Sequence, residues 1–278
     1  MRRPVVGFVV FLAQLVSVNL PAAQAPAQAA AQAPAAAAAR PAPARTSART
    51  WTGHNAEFEE YLRTAKIDRI VEVPIGVTKP KRAYFEAGGL VESAAWKVLP
   101  PGRHNGFWDS YESEIAAYEL DKLLDMGMVP PAVERQYKGD VGALVLWLSP
   151  VHPWKDMEAK PKPPSWARQA VDMKMFDNLI GNKDRNAGNF LLDDDWNLFL
   201  IDHSRAFISD KDLPWELVHV DKSLWNRMLA LDEARLTASL SKWVGKGEIR
   251  TILTRRDRMK VVIDTLVKKN GAAAVFVD

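Results

Sequence analysis

The sequence contains no cysteine among its 278 residues. This excludes disulfide bonds, thiolate metal sites and a cysteine nucleophile, so an exported chain of this composition would depend on its packed core. It also lacks the Gly-x-Ser-x-Gly elbow of serine hydrolases. The five histidines have neither His-x3-His nor glutamate-paired spacing, so no zinc chemistry is indicated.

Acidic residues are absent from the first 50 positions, which hold five arginines. The rest of the chain carries 32 basic and 34 acidic residues, so the net charge of +3 comes from the leader. A near-neutral domain has no basic face for a polyanion. We therefore expect no nucleic-acid partner.

The first 29 residues have the layout of a secretory signal peptide. Arg2 and Arg3 precede an apolar run over residues 5–20, and small residues follow up to Ala29. The alternative is an uncleaved anchor, which would make the membrane a partner, but the run is short for a span and contains polar residues. The pattern predicts an exported protein, periplasmic or secreted.

Residues 30–50 are mostly Ala, Pro, Gln, Arg, Ser and Thr, a composition that predicts a disordered linker. Residues 51–278 are predicted to form an α+β domain with a strand-rich lobe (about 60–149) and a mainly helical lobe (about 150–278). The predicted strands cover residues 70–73, 82–87, 90–99, 143–148, 190–192 and 198–202. The predicted helices cover 109–125 and about 165–180, and the chain from about residue 221 to 269 is predicted to be helical.

The loop after the second helix has the spacing of a phosphoryl-transfer site. Asp184 and Asn189 lie five residues apart directly before a strand, as in the Asp-x4-Asn of a kinase catalytic loop. Asp184 would then be the catalytic base and Asn189 a metal ligand. An ordinary loop rich in Asp and Asn is the alternative, since these residues favour turns.

A second carboxylate, Asp202, ends the apolar run of residues 198–201. An unpaired charge at the end of a buried strand is costly, and a bound Mg²⁺ or Mn²⁺ would offset that cost. The alternatives are that Asp202 caps a turn or pairs with Arg205. His203 stands where the usual Asp-Phe-Gly motif has an aromatic residue.

Two positions in the first lobe are candidates for binding the phosphates of ATP. Lys97 is a cation in an otherwise apolar strand, where kinases place the phosphate lysine; the alternative is an edge-strand lysine that prevents aggregation. Gly76 lies in a basic segment, residues 74–82, that has the position of a phosphate loop. It is the only glycine there, and a plain basic turn is equally consistent.

The sequence resembles a known family in three segments. Residues 176–185 (FDNLIGNKDR), residues 200–203 (LIDH) and residues 114–121 (EIAAYELD), the last followed by Val129-Pro130-Pro131, are similar to the secretory-pathway Golgi casein kinase and xylosylkinase family. HipA-type and phosphoinositide kinases share weaker versions. The resemblance implies a two-lobed kinase-like fold and a nucleotide site.

The resemblance also implies that Glu114 lies in that site, as the ion-pair partner of the nucleotide lysine or as a metal ligand. Helical periodicity does not settle this role, because Glu114 lies roughly opposite the apolar stripe of its helix while Glu112 lies nearer the edge of that stripe. A solvated helix carboxylate is therefore the alternative.

These observations predict an ATP-dependent kinase that uses Mg²⁺ or Mn²⁺ and phosphorylates a hydroxyl group. The motifs identify residues that bind the phosphates and not residues that bind the acceptor, so they do not select the acceptor. The resemblance implies a protein or a sugar. The alternative is a catalytically inactive kinase-fold binding module in the cell envelope, which the scarcity of glycine near Gly76 favours.

Overall fold

The computed structural model describes residues 49–73, 81–104 and 106–277. The predicted signal peptide, nearly all of the predicted linker and Gly76 lie outside the described residues. No helix within these ranges is both long enough and apolar enough to cross a membrane.

The first half of the described chain is dominated by strands. In chain order its elements are α1 (Asn55–Thr64), β1 (Ile67–Glu72), β2 (Lys81–Phe85), β3 (Ser93–Lys97), β4 (Gly102–His104), β5 (Phe107–Asp109), α2 (Tyr111–Leu123), β6 (Ala132–Tyr137) and β7 (Asp140–Leu146).

Five of these strands form an antiparallel sheet in the order β1-β2-β3-β7-β6. Lys97 ends β3 and pairs in register with Ala143 of β7, so it lies on an inner strand and not at an edge. Gly142 makes this pairing possible, because a Cβ there would collide with the Lys97 carbonyl. The edge-strand interpretation of Lys97 is therefore wrong.

Helix α2 follows the short β4–β5 hairpin, and Ser110 caps it by accepting a hydrogen bond from the Glu112 amide at 3.0 Å. Its C-terminal end is fixed by Asp121, whose buried carboxylate accepts hydrogen bonds from the amides of Gly127, Met128 and Val129. Burial raises the pKa of Asp121 to about 7 despite these bonds. Both ends of α2 are therefore held in place.

The second half is mainly helical. Its elements are β8 (His152–Pro153), α3 (Trp154–Met157), α4 (Pro164–Ile180), β9 (Phe190–Leu192), β10 (Leu198–Leu200), β11 (Val220–Asp221), α5 (Lys222–Leu229), α6 (Glu233–Leu240), α7 (Lys246–Asn270), α8 (Ala272–Val275) and β12 (Phe276–Val277). Strands β10, β9 and β8 form a small sheet, and β11 pairs with β12.

Two hydrophobic clusters support the two halves. The larger one joins α2 to the helices of the second half. The smaller one joins the five-stranded sheet to α1 and includes Phe199 of β10, which lies 5.6 Å from Trp51 between ring centroids. Helix α2 and Phe199 thus connect the sheet with the helical half, and the site lies along this connection.

The predicted α+β fold class is confirmed, and the predicted helices and strands are mostly found within a few residues of their expected ends. Helix α1, the β4–β5 hairpin and β6 were not predicted. Residues 255–260 of α7 include three arginines and a lysine, but Arg255 does not lie on a solvated face of the helix. Its side chain is fully buried and donates to the carbonyls of Leu179 and Ile208.

Gly181 ends α4 in the left-handed conformation, with φ of 70°, and a Cβ there would lie 2.8 Å from Nη1 of Arg255. Gly181→Ala should therefore destabilise the protein by about 2 kcal/mol, since left-handed strain and a contact with a buried side chain add together. Gly53→Ala is the matched control, because Gly53 has φ of 82° and open space around it, and should cost about 1 kcal/mol. Equal costs by urea unfolding would contradict this account.

Candidate active site

A buried ion pair joins the sheet to α2. Nζ of Lys97 lies 2.5 Å from Oε1 of Glu114, and the Glu114 side chain is only 2% exposed. The helix carries Glu114 to the lysine because α2 packs against β6 and β7. This is the pairing of β3 lysine and helix glutamate on which kinases depend.

Asp202 completes a group of three charges. Its Oδ1 lies 3.0 Å from Nζ of Lys97, and its side chain is 37% exposed. Asp202 has φ of 60°, a conformation that is uncommon outside glycine and typical of functional sites when it is kept. The chain therefore bends sharply after β10 and turns this carboxylate toward the lysine.

Burial and neighbouring charges act in opposite directions on the pKa values of Lys97 and Glu114. Burial disfavours the ammonium of Lys97, but Asp202 and Glu114 outweigh it, so the pKa of Lys97 is raised. Burial likewise disfavours the Glu114 carboxylate, but Lys97 and the contact with His203 hold its pKa below the ordinary value. Both groups are therefore charged at neutral pH, and the stability contributed by Glu114 is lost only as pH falls below about 4.5.

The second oxygen of Glu114 is held by the residue after Asp202. The His203 amide donates to Oε2 of Glu114 at 3.1 Å. Nε2 of the His203 ring accepts from Nη2 of Arg185 at 2.9 Å, which places the ring proton on Nδ1. Burial lowers the pKa of His203, so the ring is neutral. Glu114 and Asp202 are thus fixed relative to each other by one short segment.

Arg185 joins the loop of Asp184 to the rest of the site. Its guanidinium forms a two-pronged ion pair with the buried carboxylate of Asp177, at 2.9 and 3.0 Å. It also donates to the backbone carbonyls of Asn189 and Ile201, the latter at 2.7 Å. A single buried arginine therefore holds the residue just before β9 and the residue just after β10.

The loop itself is shaped by its amide side chains. Oδ1 of Asn182 accepts from the Asp184 amide at 3.1 Å, and Nδ2 of Asn189 donates to the Asp184 carbonyl at 2.7 Å. The Ile201 amide donates to the Asn189 carbonyl at 3.1 Å. Asn189 therefore lies beside the strand that leads into Asp202, and its Oδ1 accepts no hydrogen bond among the described residues.

Arg205 links Asp184 to the hairpin before α2. Its Nη1 lies 3.1 Å from Oδ2 of Asp184, and its Nε lies 3.0 Å from Oδ1 of Asp109. Arg205 therefore pairs with these two carboxylates and not with Asp202, so the alternative in which Asp202 pairs with Arg205 is wrong. Asp109 also accepts from the Ser204 hydroxyl at 3.1 Å.

The structure brings Lys97, Glu114 and Asp202 into direct contact and places Asn189 and Asp184 on the adjoining loop. The alternative of a solvated Glu114 is wrong, because residues 203–206 cover that side of α2. Sequence reasoning did not find Asp177 and Arg185 as a pair. The available signal for this pair was Asp177, a carboxylate among the apolar residues of α4.

Within the described ranges, no group of three or more His, Cys, Asp or Glu side chains is arranged so that it could hold a metal ion by itself. A metal held by Asp202 and Asn189 would therefore need the phosphate oxygens of a nucleotide as further ligands. This is the usual situation for Mg²⁺, which keeps one or two carboxylates and binds phosphates and water with its remaining positions.

The fold matches solved kinase structures. The structure is similar to the Golgi casein kinase with Mn/ADP bound, with a TM-score of 0.61 and 17% identity over 81% of this chain and 79% of that chain. It is also similar to hydra Fam20 with sugar, with a TM-score of 0.60 and 17% identity over 81% of this chain and 92% of that one. No family model and no curated protein matches the sequence.

The chain therefore has an atypical protein-kinase-like fold. The resemblance to the Golgi casein kinase group, which the sequence motifs indicated, is confirmed at the level of the fold.

Lys97→Met should destabilise the protein by about 3 kcal/mol, because it leaves the Glu114 carboxylate buried without its cation. The double variant Lys97→Met, Glu114→Gln should recover part of this loss. Urea unfolding at pH 7 measures both. As a control, Lys66→Met breaks an exposed pair with Glu86 and should change nothing measurable. A double variant no more stable than Lys97→Met would contradict the pairing.

Proposed function

We propose that this protein is an exported ATP-dependent phosphotransferase that moves the γ-phosphate of ATP to a hydroxyl of a protein or sugar acceptor. The observation that carries the proposal is the contact of Lys97 with both Glu114 and Asp202, next to the loop of Asp184 and Asn189. The predicted signal peptide supports export.

In this proposal Lys97 binds the phosphates of the nucleotide. Its side chain is 20% exposed, and its ammonium is oriented by Glu114 from the buried side. When a nucleotide enters, phosphate oxygens replace Asp202 as the second partner of Lys97, while Glu114 keeps the ammonium in place. Such a preorganised cation lowers the cost of placing the phosphate charges in the cleft.

The residues around Asp202 fit a divalent metal. A partly exposed carboxylate and a carboxamide oxygen from Asn189 are hard ligands of the kind that Mg²⁺ and Mn²⁺ prefer. When bound, the metal would neutralise charge on the phosphates. The presence of Mn/ADP in the Golgi casein kinase structure supports testing Mn²⁺ beside Mg²⁺.

Asp184 is proposed as the base. Its side chain is 39% exposed, so an acceptor hydroxyl can reach it. In the transfer, the hydroxyl oxygen forms a bond to the γ-phosphorus and the bond from that phosphorus to the β–γ bridging oxygen breaks. The proton of the hydroxyl moves to Asp184, and ADP leaves with the electron pair of the broken bond.

The second candidate is an inactive binding module. It is favoured by the ion pair of Asp184 with Arg205, which occupies one oxygen of the proposed base. An inactive module would bind the nucleotide and transfer nothing, whereas an enzyme would release Asp184 from this pair when the acceptor arrives.

Asp202→Ala should reduce phosphate transfer from labelled ATP at least about 100-fold, because the metal loses its carboxylate. Asp195→Ala is the control, since it removes an exposed carboxylate from the turn between β9 and β10. Label transfer to protein and sugar acceptor pools, with Mg²⁺ or Mn²⁺, measures the effect. Equal transfer by the wild type and Asp202→Ala would exclude Asp202 from the transfer, and no transfer by either protein would contradict the phosphotransferase.

Asp184→Asn should lower kcat for transfer by about 10²- to 10⁴-fold, as expected for loss of a general base. ATP binding, measured by calorimetry in the presence of the metal, should stay within a factor of about three of the wild type, because Asp184 contacts the acceptor and not the phosphates. Wild-type protein that binds ATP and transfers nothing would favour the inactive module. A variant with unchanged kcat would exclude Asp184 as the base.

A further inference from the structure

A second cavity, of about 330 Å³, lies apart from the candidate active site. Its walls come from the segment after α2, from α4, from α5, from the turn before β10 and from Arg49 at the start of the described chain. None of the described residues that line it has been assigned to the active site above. Its volume is at the lower end of the range for ligand sites, so it fits a small molecule.

Arg49 contributes a guanidinium group without a protein acceptor. Its Nε is buried and has no hydrogen-bond partner among the described residues. Burial lowers the pKa of Arg49, and only the charges of Asp193 and Asp121 oppose this effect, neither of them through a hydrogen bond. A buried donor without an acceptor is costly, so an anionic oxygen in the cavity would stabilise Arg49.

Asp172 of α4 has the opposite deficit. Its Oδ1 is buried and has no hydrogen-bond partner among the described residues. Two arginines line the cavity near it but are committed elsewhere. Nε of Arg168 lies 2.5 Å from Oδ2 of Asp221, and Arg227 donates to a backbone carbonyl and to a serine hydroxyl. A cationic donor in the cavity would therefore stabilise the Asp172 carboxylate.

The two unpartnered groups lie at different ends of the cavity. Different sets of charges shift the pKa values of Arg49 and Asp172, and neither group shifts the pKa of the other. A simple anion would pair with Arg49 but would be repelled by Asp172 and by Asp125, which also lines the cavity. A simple cation would leave Arg49 without an acceptor. A ligand with both charges satisfies both ends.

We propose that this cavity binds a small zwitterion that has a carboxylate at one end and an ammonium group at the other, as an ω-amino acid or lysine has. The carboxylate accepts hydrogen bonds from Arg49, and the ammonium group donates to Asp172. Met126 and Met128 also line the cavity. Their flexible apolar side chains suit the methylene groups between the two charges.

The experiment measures ligand binding to the full chain by calorimetry at pH 7.5. The probes are 6-aminohexanoate, 4-aminobutyrate, L-lysine and glycine, and hexanoate and hexylamine carry one charge each on a matched chain. The variants are Arg49→Gln and Asp172→Asn. Arg69→Gln and Asp68→Asn are the matched controls, because Arg69 and Asp68 form an exposed pair on β1. Thermal unfolding checks that each variant is folded.

We expect at least one zwitterion with separated charges to bind about tenfold more tightly than glycine, hexanoate or hexylamine. Arg49→Gln and Asp172→Asn should each weaken this binding at least about tenfold, and the two controls should stay within about twofold of the wild type. Asp172→Asn should bind hexanoate more tightly than the wild type does, because the variant no longer repels a carboxylate. A purely structural role of Asp172 would not produce this reversal.

The binding should also depend on pH through Asp172. Burial and the charge of Asp221 raise the pKa of Asp172 to about 7, and Arg168 and Arg227 act against this. Asp125 is a further charged group of the cavity. The empty site becomes protonated at Asp172 as pH falls, and a neutral carboxyl group pairs poorly with ammonium. Affinity of the wild type should fall about tenfold from pH 7.5 to 6, whereas Asp172→Asn should show no such fall.

Three results would overturn the proposal. One is equal affinity of the wild type for 6-aminohexanoate, hexanoate and hexylamine. Another is a folded Asp172→Asn variant that binds the zwitterions as the wild type does. The third is no binding of any zwitterion at millimolar concentration. These measurements require no phosphate transfer, so their outcome is independent of whether the phosphotransferase proposal holds.

Discussion

The position of one ammonium group determines the arrangement of the rest of the site. Lys97 lies on an inner strand of the sheet, and its charge in a largely buried position is tolerable only because Glu114 and Asp202 both contact it. Glu114 comes from the helix α2 and Asp202 from the end of β10. The lysine therefore sets the distance between sheet, helix and hairpin, and any ligand that enters must satisfy these same charges.

A buried network behind the lysine makes this arrangement rigid. His203 connects Glu114 to Arg185, and Arg185 is held by Asp177 within α4. Each of these groups has its partners, which is the condition under which buried polar networks stabilise one structure and do not weaken it. Asp184, in contrast, is exposed, and among the described residues its carboxylate contacts the side chains of Arg205 and Asn186. The site is therefore rigid around Lys97 and more open around Asp184.

The sequence indicated those candidate residues whose signal is local. Asp184 and Asn189 have a recognisable spacing, Asp202 ends an apolar run, and Lys97 interrupts an apolar strand. Glu114 could not be placed from its helix, because the segment that buries it lies 89 residues later in the chain. The same reason hid the partners of Arg205 and the buried state of Arg255, whose contacts come from elements distant in sequence.

We propose that Lys97 and Asp202 exchange their mutual contact for the phosphates and metal of a nucleotide. A crystal structure with Mn²⁺ and ADP tests it most directly, through the anomalous signal of the metal. The account predicts a single manganese peak bound by Asp202 and Asn189, with Nζ of Lys97 in contact with a phosphate oxygen and still paired with Glu114. Nucleotide bound away from Lys97, or manganese bound without Asp202, would contradict it.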